Sequence, residues 1–358
     1  AIFKMHSYWF PVLLCFLLTA TIHGREPLVH VSLAKENRIV TYRLSEPDGT
    51  LTLIDSVAVN GGPGALVYHP TLPVLFASIR STGCLASFQV DASTGKLTSI
   101  NEIPAGADPA YLSVDKSGKL LMSAYYRAGK VLVHSIKDNG AIGKELQSLT
   151  TDERAHAIVP DRSGHYWFVP HTRPNAIFQF ILDDKTRRLV KNKPSMLLRN
   201  PNTGPRHIWF HPTLDFAYSS DEQGCSVSTY ALDSTSGVLS LQQTLPTLPE
   251  TETHSQANST SHIEVHPSGQ FVYVANRGHD SITRYAVQPQ DAILKRLGNT
   301  PTEQTTRSFN IDPSGRFLIA AGQTSGNLAV FQINPESGDL KRLHTLSTGK
   351  APWWVTIR

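Results

Sequence analysis

One tract recurs along this chain at intervals near 45 residues: an apolar strand running into a turn of the form Asp/His-Pro-Ser-Gly. Copies lie at 66–70, 112–118, 158–164, 208–212, 263–269 and 309–315. Taking Pro70, Asp115, Pro160, Pro212, Pro267 and Pro313 as equivalent, the intervals are 45, 45, 52, 55 and 46. A period of this length marks a repeat architecture, in which each unit buries its apolar face against the next. Variation in the interval reads as loop insertion.

Each turn leads into two alternating strands joined by a short polar or glycine-containing loop, the pattern of a β-hairpin. Seven such hairpins are read, at 29–44, 75–90, 120–136, 167–182, 217–232, 271–287 and 317–333. A further turn and apolar residue close each unit, as in Thr94-Gly-Lys-Leu97 and Ser337-Gly-Asp-Leu340. Four short strands per unit without helical periodicity predict an all-β, seven-bladed β-propeller with four-stranded antiparallel blades. The first hairpin has no inner strand before it, and the last strand, Trp353–Ile357, has no hairpin after it. The two fragments are expected to share one blade and close the ring, which pairs edges that would otherwise lie open.

The N-terminus differs in kind. Tyr8 to Ala20 is apolar, a length that suits a signal-peptide core and is too short to span a bilayer. Residues 1–24 are therefore read as a leader, with Met5 as the start and cleavage near Ile22-His23-Gly24, and 25–358 as the propeller. The alternative is an upstream extension with no targeting role. Export to the periplasm or the exterior is expected if the leader is real, and a cytoplasmic protein if it is not. No later segment is apolar enough to serve as a membrane anchor.

The formal charge of +4 is small, and lysines and arginines are scattered instead of forming basic runs, which gives nucleic-acid binding no support. Of three cysteines, Cys84 and Cys225 fit no metal motif and are read as buried, unpaired thiols. Trp167, Trp209, Phe271 and Trp354 follow strand alternation and are assigned to packing. Residues 246–260 are read as a long loop before the sixth inner strand, and Asn258-Ser-Thr260 as a glycosylation sequon that matters only in a eukaryotic secretory setting.

Inner strands line the central channel of a propeller, so polar residues at their start face one mouth. Those residues are His156, Arg206 with His207, His262, and Arg307; loops after the second strands add Glu222 and Arg277. A convergent set of His, Arg and Glu can bind an anion, polarise a carbonyl and move a proton. The same residues could instead hydrogen-bond loops and channel water.

Gly204-Pro-Arg-His207, Glu222, Ala275-Asn-Arg277 and the stretch from Arg307 to Gln323 resemble the seven-bladed lactonase family. Ala155-His-Ala-Ile158 and Pro352-Trp-Trp-Val355 match as well, and the likeness covers nearly all of 27–358. That family includes cycloisomerase-type bacterial 6-phosphogluconolactonases and fungal 3-carboxy-cis,cis-muconate lactonizing enzymes. The resemblance implies a hydrolase opening a sugar-acid lactone, with no metal, no cofactor, a small anionic lactone as its partner, and a monomeric chain. It implies catalytic roles for His156, Arg206, Glu222 and Arg307, and substrate contacts from His207, Arg277 and His262, His207 being equally a residue that orients Arg206. Either His156 or Glu222 would serve as base. A muconate cycloisomerase, a non-catalytic binding module and a calcium-dependent lactonase using Asn276, Asn310, Glu222 and Glu264 are the competing readings. Export would favour a lactone without phosphate, since phosphosugars are made in the cytoplasm.

Overall fold

A computed structural model describes residues 26–252 and 257–358, so the leader-like segment and residues 253–256 of the long loop lie outside it. The described residues form seven four-stranded antiparallel sheets, the blades of a propeller. Blade I combines strands from both ends of the chain, and blades II to VII follow in order at 63–104, 109–150, 159–198, 205–246, 259–301 and 306–347. The inner strands are Pro352–Ile357, Pro63–Tyr68, Pro109–Val114, Val159–Pro160, Pro205–Phe210, Ser259–Val265 and Thr306–Ile311.

The middle strands are buried on both faces because each blade is sandwiched by its neighbours; Val74–Ile79 is buried throughout. Outer strands such as Leu97–Pro104 alternate between covered and exposed residues, as expected where one face meets water. The core therefore lies between blades. Tyr166 and Phe168 of blade IV pack on Ile208, Ala217 and Tyr230 of blade V, and equivalent clusters occupy the other junctions. Each such side chain, once fully buried, contributes roughly 1.5–3 kcal/mol.

The recurring turn explains its own sequence. Where it carries Asp, the carboxylate accepts backbone N–H groups of its own turn: Asp115 takes Ser117, Lys119 and Leu120, and Asp312 takes Ser314 and Phe317. Where it carries His, the ring also reaches the next blade. His69 Nδ1 accepts from the Thr71 and Leu72 amides, while its Nε2 donates to the Gly118 carbonyl at 2.9 Å. His211 makes the same link to Gly269, and His266 to Gly315. Those glycines have φ of +69°, +75° and +75°, and a Cβ on any of them would fall within 2.6 Å of the histidine ring.

Ring closure follows the expected plan. Inner strand Pro352–Ile357 pairs antiparallel with Leu28–Leu33, setting Val29 opposite Ile357 and Val31 opposite Val355. Arg358 then donates to the His69 and Leu72 carbonyls of blade II, tying the chain end to the neighbouring blade.

Three expectations change. The inner strand of blade IV has only two residues, Val159–Pro160, because the ladder is interrupted between the isolated Ala155–His171 bridge and Val159. Among the described residues Cys84 and Cys225 are unpaired, as expected, but only partly buried. Trp354 stands in the channel beside Tyr111, His207 and His262 as well as packing on blade cores.

Gly269→Ala is predicted to cost more than about 2 kcal/mol, because it adds a clash with His211 to the left-handed backbone penalty. Gly106→Ala, at φ +74° with open space around the new Cβ, should cost only about 1–2 kcal/mol. Urea denaturation checks the pair, and equal losses would contradict the inter-blade clip.

Candidate active site

The strand register decides which side chains reach the mouth. In each blade, one residue near the start of the inner strand sits where the register with the second strand breaks or the strand is irregular, after the first pair in six blades and after the second in blade VI. These residues are Trp353, Gly64, Ala110, His156, Arg206, Ser261 and Arg307 in blades I to VII. A bulge of this kind re-aims a side chain. The turn before it supports the geometry: Arg154, Gly204, Thr305 and Ala351 have φ of 59°, 64°, 58° and 54°, each two residues ahead of His156, Arg206, Arg307 and Trp353. A second row comes from the residue after the last hairpin pair, giving Arg80, Tyr126, Thr172, Glu222 and Arg277 in blades II to VI.

These rows converge. Glu222 Oε2 lies 2.9 Å from Arg206 Nε and 3.1 Å from Arg277 Nη2. Arg206, 1% exposed, also donates through Nη1 to the Ser261 carbonyl at 2.6 Å. Its guanidinium fork is thus directed mainly at protein groups. Arg307 is different: its guanidinium carbon stands 3.9 Å from the centre of the Trp353 ring, and among the described residues it makes no side-chain hydrogen bond or ion pair. A stacked, charged group with five N–H donors facing no protein acceptor is a ready anion ligand.

His156, 4% exposed, packs edge-on against Tyr126 at 5.3 Å and His207 at 5.2 Å between ring centroids. Its Nδ1 is sealed from solvent with no hydrogen-bond partner among the described residues, which leaves Nε2 as the open ring nitrogen. Below it, His207 and His262 are buried and bonded to each other, Nδ1 to Nδ1, at 2.8 Å. His262 Nε2 lies 2.9 Å from Glu264, whose carboxylate also accepts from Asn310 Nδ2 and the Ile311 amide. Those two donors make Glu264 the acceptor, so His262 donates from Nε2 and accepts at Nδ1. His207 must then donate from Nδ1, which leaves its Nε2 as acceptor toward Arg206 Nη1 at 3.4 Å. One buried carboxylate therefore fixes two imidazole tautomers and steadies Arg206 from beneath.

Charge is crowded here. Burial, then the charges of Arg206, Arg307 and Arg80, hold His156 well below the usual histidine range. Burial, Arg206 and its histidine neighbours do the same to His207. Burial by itself would raise the Glu222 carboxyl, but Arg206 and Arg277 overcome it and keep the group below its ordinary value. Burial and then Arg277 push Arg206 down to about 9; burial and then Arg206, Arg277 and Arg80 push Arg307 down as well. A guanidinium keeps its proton here, and a bound anion would offset both its burial and its like-charged neighbours.

The match to known proteins falls on this architecture. Residues 28–357 match the family described as "Lactonase, 7-bladed beta-propeller". The chain belongs to the seven-bladed β-propeller lactonase family. It is 31% identical over 285 residues to a protein of Pectobacterium carotovorum named 6-phosphogluconolactonase, covering 80% of this chain and 84% of that one. A Cronobacter sakazakii protein of the same name is 32% identical, with 79% and 83% covered. Among solved structures, the periplasmic gluconolactonase of Pseudomonas aeruginosa superposes with a TM-score of 0.86 at 25% identity, covering 92% of this chain and 98% of that one.

Within this lactonase fold, Glu222 pairs with Arg206 and Arg277, His156 reaches Arg206 through His207, and Arg307 lies near enough for its charge to act on His156 and Glu222. His207 and His262 lie beneath them, 1% and 2% exposed. The reading of the sequence missed Arg80, Tyr126 and Trp353. Arg80 stands 5.4 Å from the Trp353 ring centre and 5.9 Å from that of Tyr126. A signal existed: Arg80 and Tyr126 occupy the repeat position of Glu222 and Arg277, and Pro352-Trp353 the position of Pro205-Arg206.

The buried histidines predict how stability varies with pH. His30 and His171 are lowered to about 3 and about 4 by burial, and His156 and His207 are lowered too. The folded chain then binds fewer protons than the unfolded one, whose histidines titrate near ~6.5. Their contribution is full above that value and is lost as pH falls through it. Asp221, raised to about 6 by burial, works in the opposite sense but alone. The urea midpoint should change little from pH 7.5 to about 6.5 and fall from there to 5.5, and a flat or rising midpoint over that lower interval would contradict the assignment.

Proposed function

We propose that this protein hydrolyses the lactone of a sugar acid, with the reacting carbonyl held between Arg307 and His156. The observation that carries this reading is an excess of cation over carboxylate beside a neutral histidine with a free ring nitrogen. The names of the family members above support it.

A lactone carbonyl placed against Arg307 develops negative charge on its oxygen as water attacks C1, and the free guanidinium donors meet that charge. His156 accepts the water proton at Nε2, the ring nitrogen that is not sealed from solvent, a task open to it because its ring is neutral at working pH. The tetrahedral centre then collapses: the bond from C1 to the ring oxygen breaks, and that oxygen takes the proton back from His156. The product is a hydroxy acid whose carboxylate remains beside the arginines until it leaves. Glu222 serves less well as base, since Arg206 and Arg277 hold it as a weakly basic carboxylate. Its part is to fix those two cations at the wall of the site.

The leader-like segment and the likeness to a periplasmic gluconolactonase support an exported enzyme.

Purified protein is expected to hydrolyse gluconolactone or 6-phosphogluconolactone faster than the spontaneous reaction. His156→Asn should lower kcat by about 10²–10⁴-fold with little change in KM. Glu222→Gln should raise KM more than it lowers kcat. The acid limb of kcat/KM should lie below pH ~6.5, the ordinary histidine value, and should vanish in the His156 variant. Turnover of carboxymuconate with neither lactone hydrolysed would overturn the reading in favour of a cycloisomerase.

A further inference from the structure

The mouth is lopsided. Around the ring, the bulge position carries His156, Arg206, Arg307 and Trp353 in four blades but only Gly64 and Ala110 in blades II and III. Among the loops of blades I to III lies a cavity of about 940 Å³, lined by Lys35, Arg80, Asp108, Tyr126, Arg127 and Trp353 among others. Cavity and catalytic cluster share walls. Tyr126 packs on His156 with ring centroids 5.3 Å apart, and Trp353 carries Arg307 at 3.9 Å.

Arg80 is the residue this geometry leaves unexplained. Its side chain is only 18% exposed, yet its single ion pair, to Asp108, is 3.5 Å long. Among the described residues that is also its only side-chain hydrogen bond. Asp108 is shared besides, since it accepts the Arg127 amide at 3.0 Å and lies 3.7 Å from Arg127 Nε. A guanidinium has five donors, and desolvating it against two aromatic rings with one long contact costs stability unless a ligand completes it. Neutral hydroxyl groups would only replace water there, whereas an oxyanion forms the short, charge-assisted pairs that suit this group.

We propose that Arg80, with Tyr126 and Trp353, forms a second anion subsite that holds a phosphate monoester or carboxylate carried by the substrate away from its reacting carbonyl. This rests on the lactonase reading given above and adds the direction in which substrate lies. The carbonyl faces His156 and Arg307, and the remote anion lies across the shared aromatic walls. Lys35 and Arg127, both exposed at the rim, add attraction at longer range.

The test is the ratio of kcat/KM for 6-phosphogluconolactone to that for gluconolactone. Wild type should favour the phosphorylated lactone, used as a probe for any remote anion whether or not an exported enzyme meets a phosphosugar, and Arg80→Met should lower the ratio at least tenfold, mainly through KM. An unchanged ratio in folded Arg80→Met would overturn the subsite. If that variant does not fold, Lys35→Ala combined with Arg127→Ala, both at exposed positions, should lower the ratio severalfold, and no change would count equally against it. Calorimetry separates this from the catalytic reading. Were wild type to hydrolyse neither lactone, the subsite would still require 6-phosphogluconate to bind at least tenfold tighter than gluconate, and that preference to disappear in Arg80→Met. Equal affinities in wild type would remove it.

Discussion

The pairing of the last strand with the first is the constraint on which everything else depends. Val29 opposite Ile357 and Val31 opposite Val355 turn an open series of seven sheets into a ring. Only in a ring do inner strands from 156 to 353 point at one axis, so only there can residues remote in sequence share a site. Closure also places Trp353 on the bulge of the joining strand, where Arg307 stacks on it. The site is thus completed by the same strand that locks the fold, and damage to that strand would reach stability and chemistry together.

Inside the ring, the chain tolerates a concentration of guanidinium groups that water would normally disperse. Each is stabilised differently: Arg206 by Glu222 and the Ser261 carbonyl, Arg277 by Glu222 and the Thr260 carbonyl, and Arg307 by an aromatic face. Burial, with the charges of Arg206, Arg307 and Arg80, keeps His156 neutral. Stability lost to crowding like charges is returned when an anion arrives, which is the sense in which the mouth is complementary to a charged intermediate and not to the neutral lactone.

Much of this was legible before any coordinates. All seven hairpins were visible because alternation and turn residues are local signals, and the repeat period supplied the architecture. His156, Arg206, Glu222, Arg277 and Arg307 were visible because polar residues stood out at the start of inner strands or just after second strands. Arg80 and Tyr126 were passed over because their flanking residues form no conspicuous polar motif, although the hairpin register makes them equivalent to Glu222 and Arg277. Trp354 alternates like a packing residue, and which face of a propeller strand meets the channel cannot be told from alternation alone. Nor does sequence distinguish an arginine whose donors are taken, as in Arg206, from one whose donors are free, as in Arg307. That difference depends on a carbonyl 55 residues away, at Ser261.

The central claim is that the mouth is built to hold a carboxylate-like oxyanion between a free arginine and a neutral histidine. A crystal structure of the protein with gluconate, the hydroxy acid left by lactone opening, tests it most directly. The account places the carboxylate on the Arg307 guanidinium with one oxygen within hydrogen-bond reach of His156 Nε2. Gluconate bound elsewhere, with Arg307 stacked on Trp353 and meeting no ligand oxygen, would contradict it.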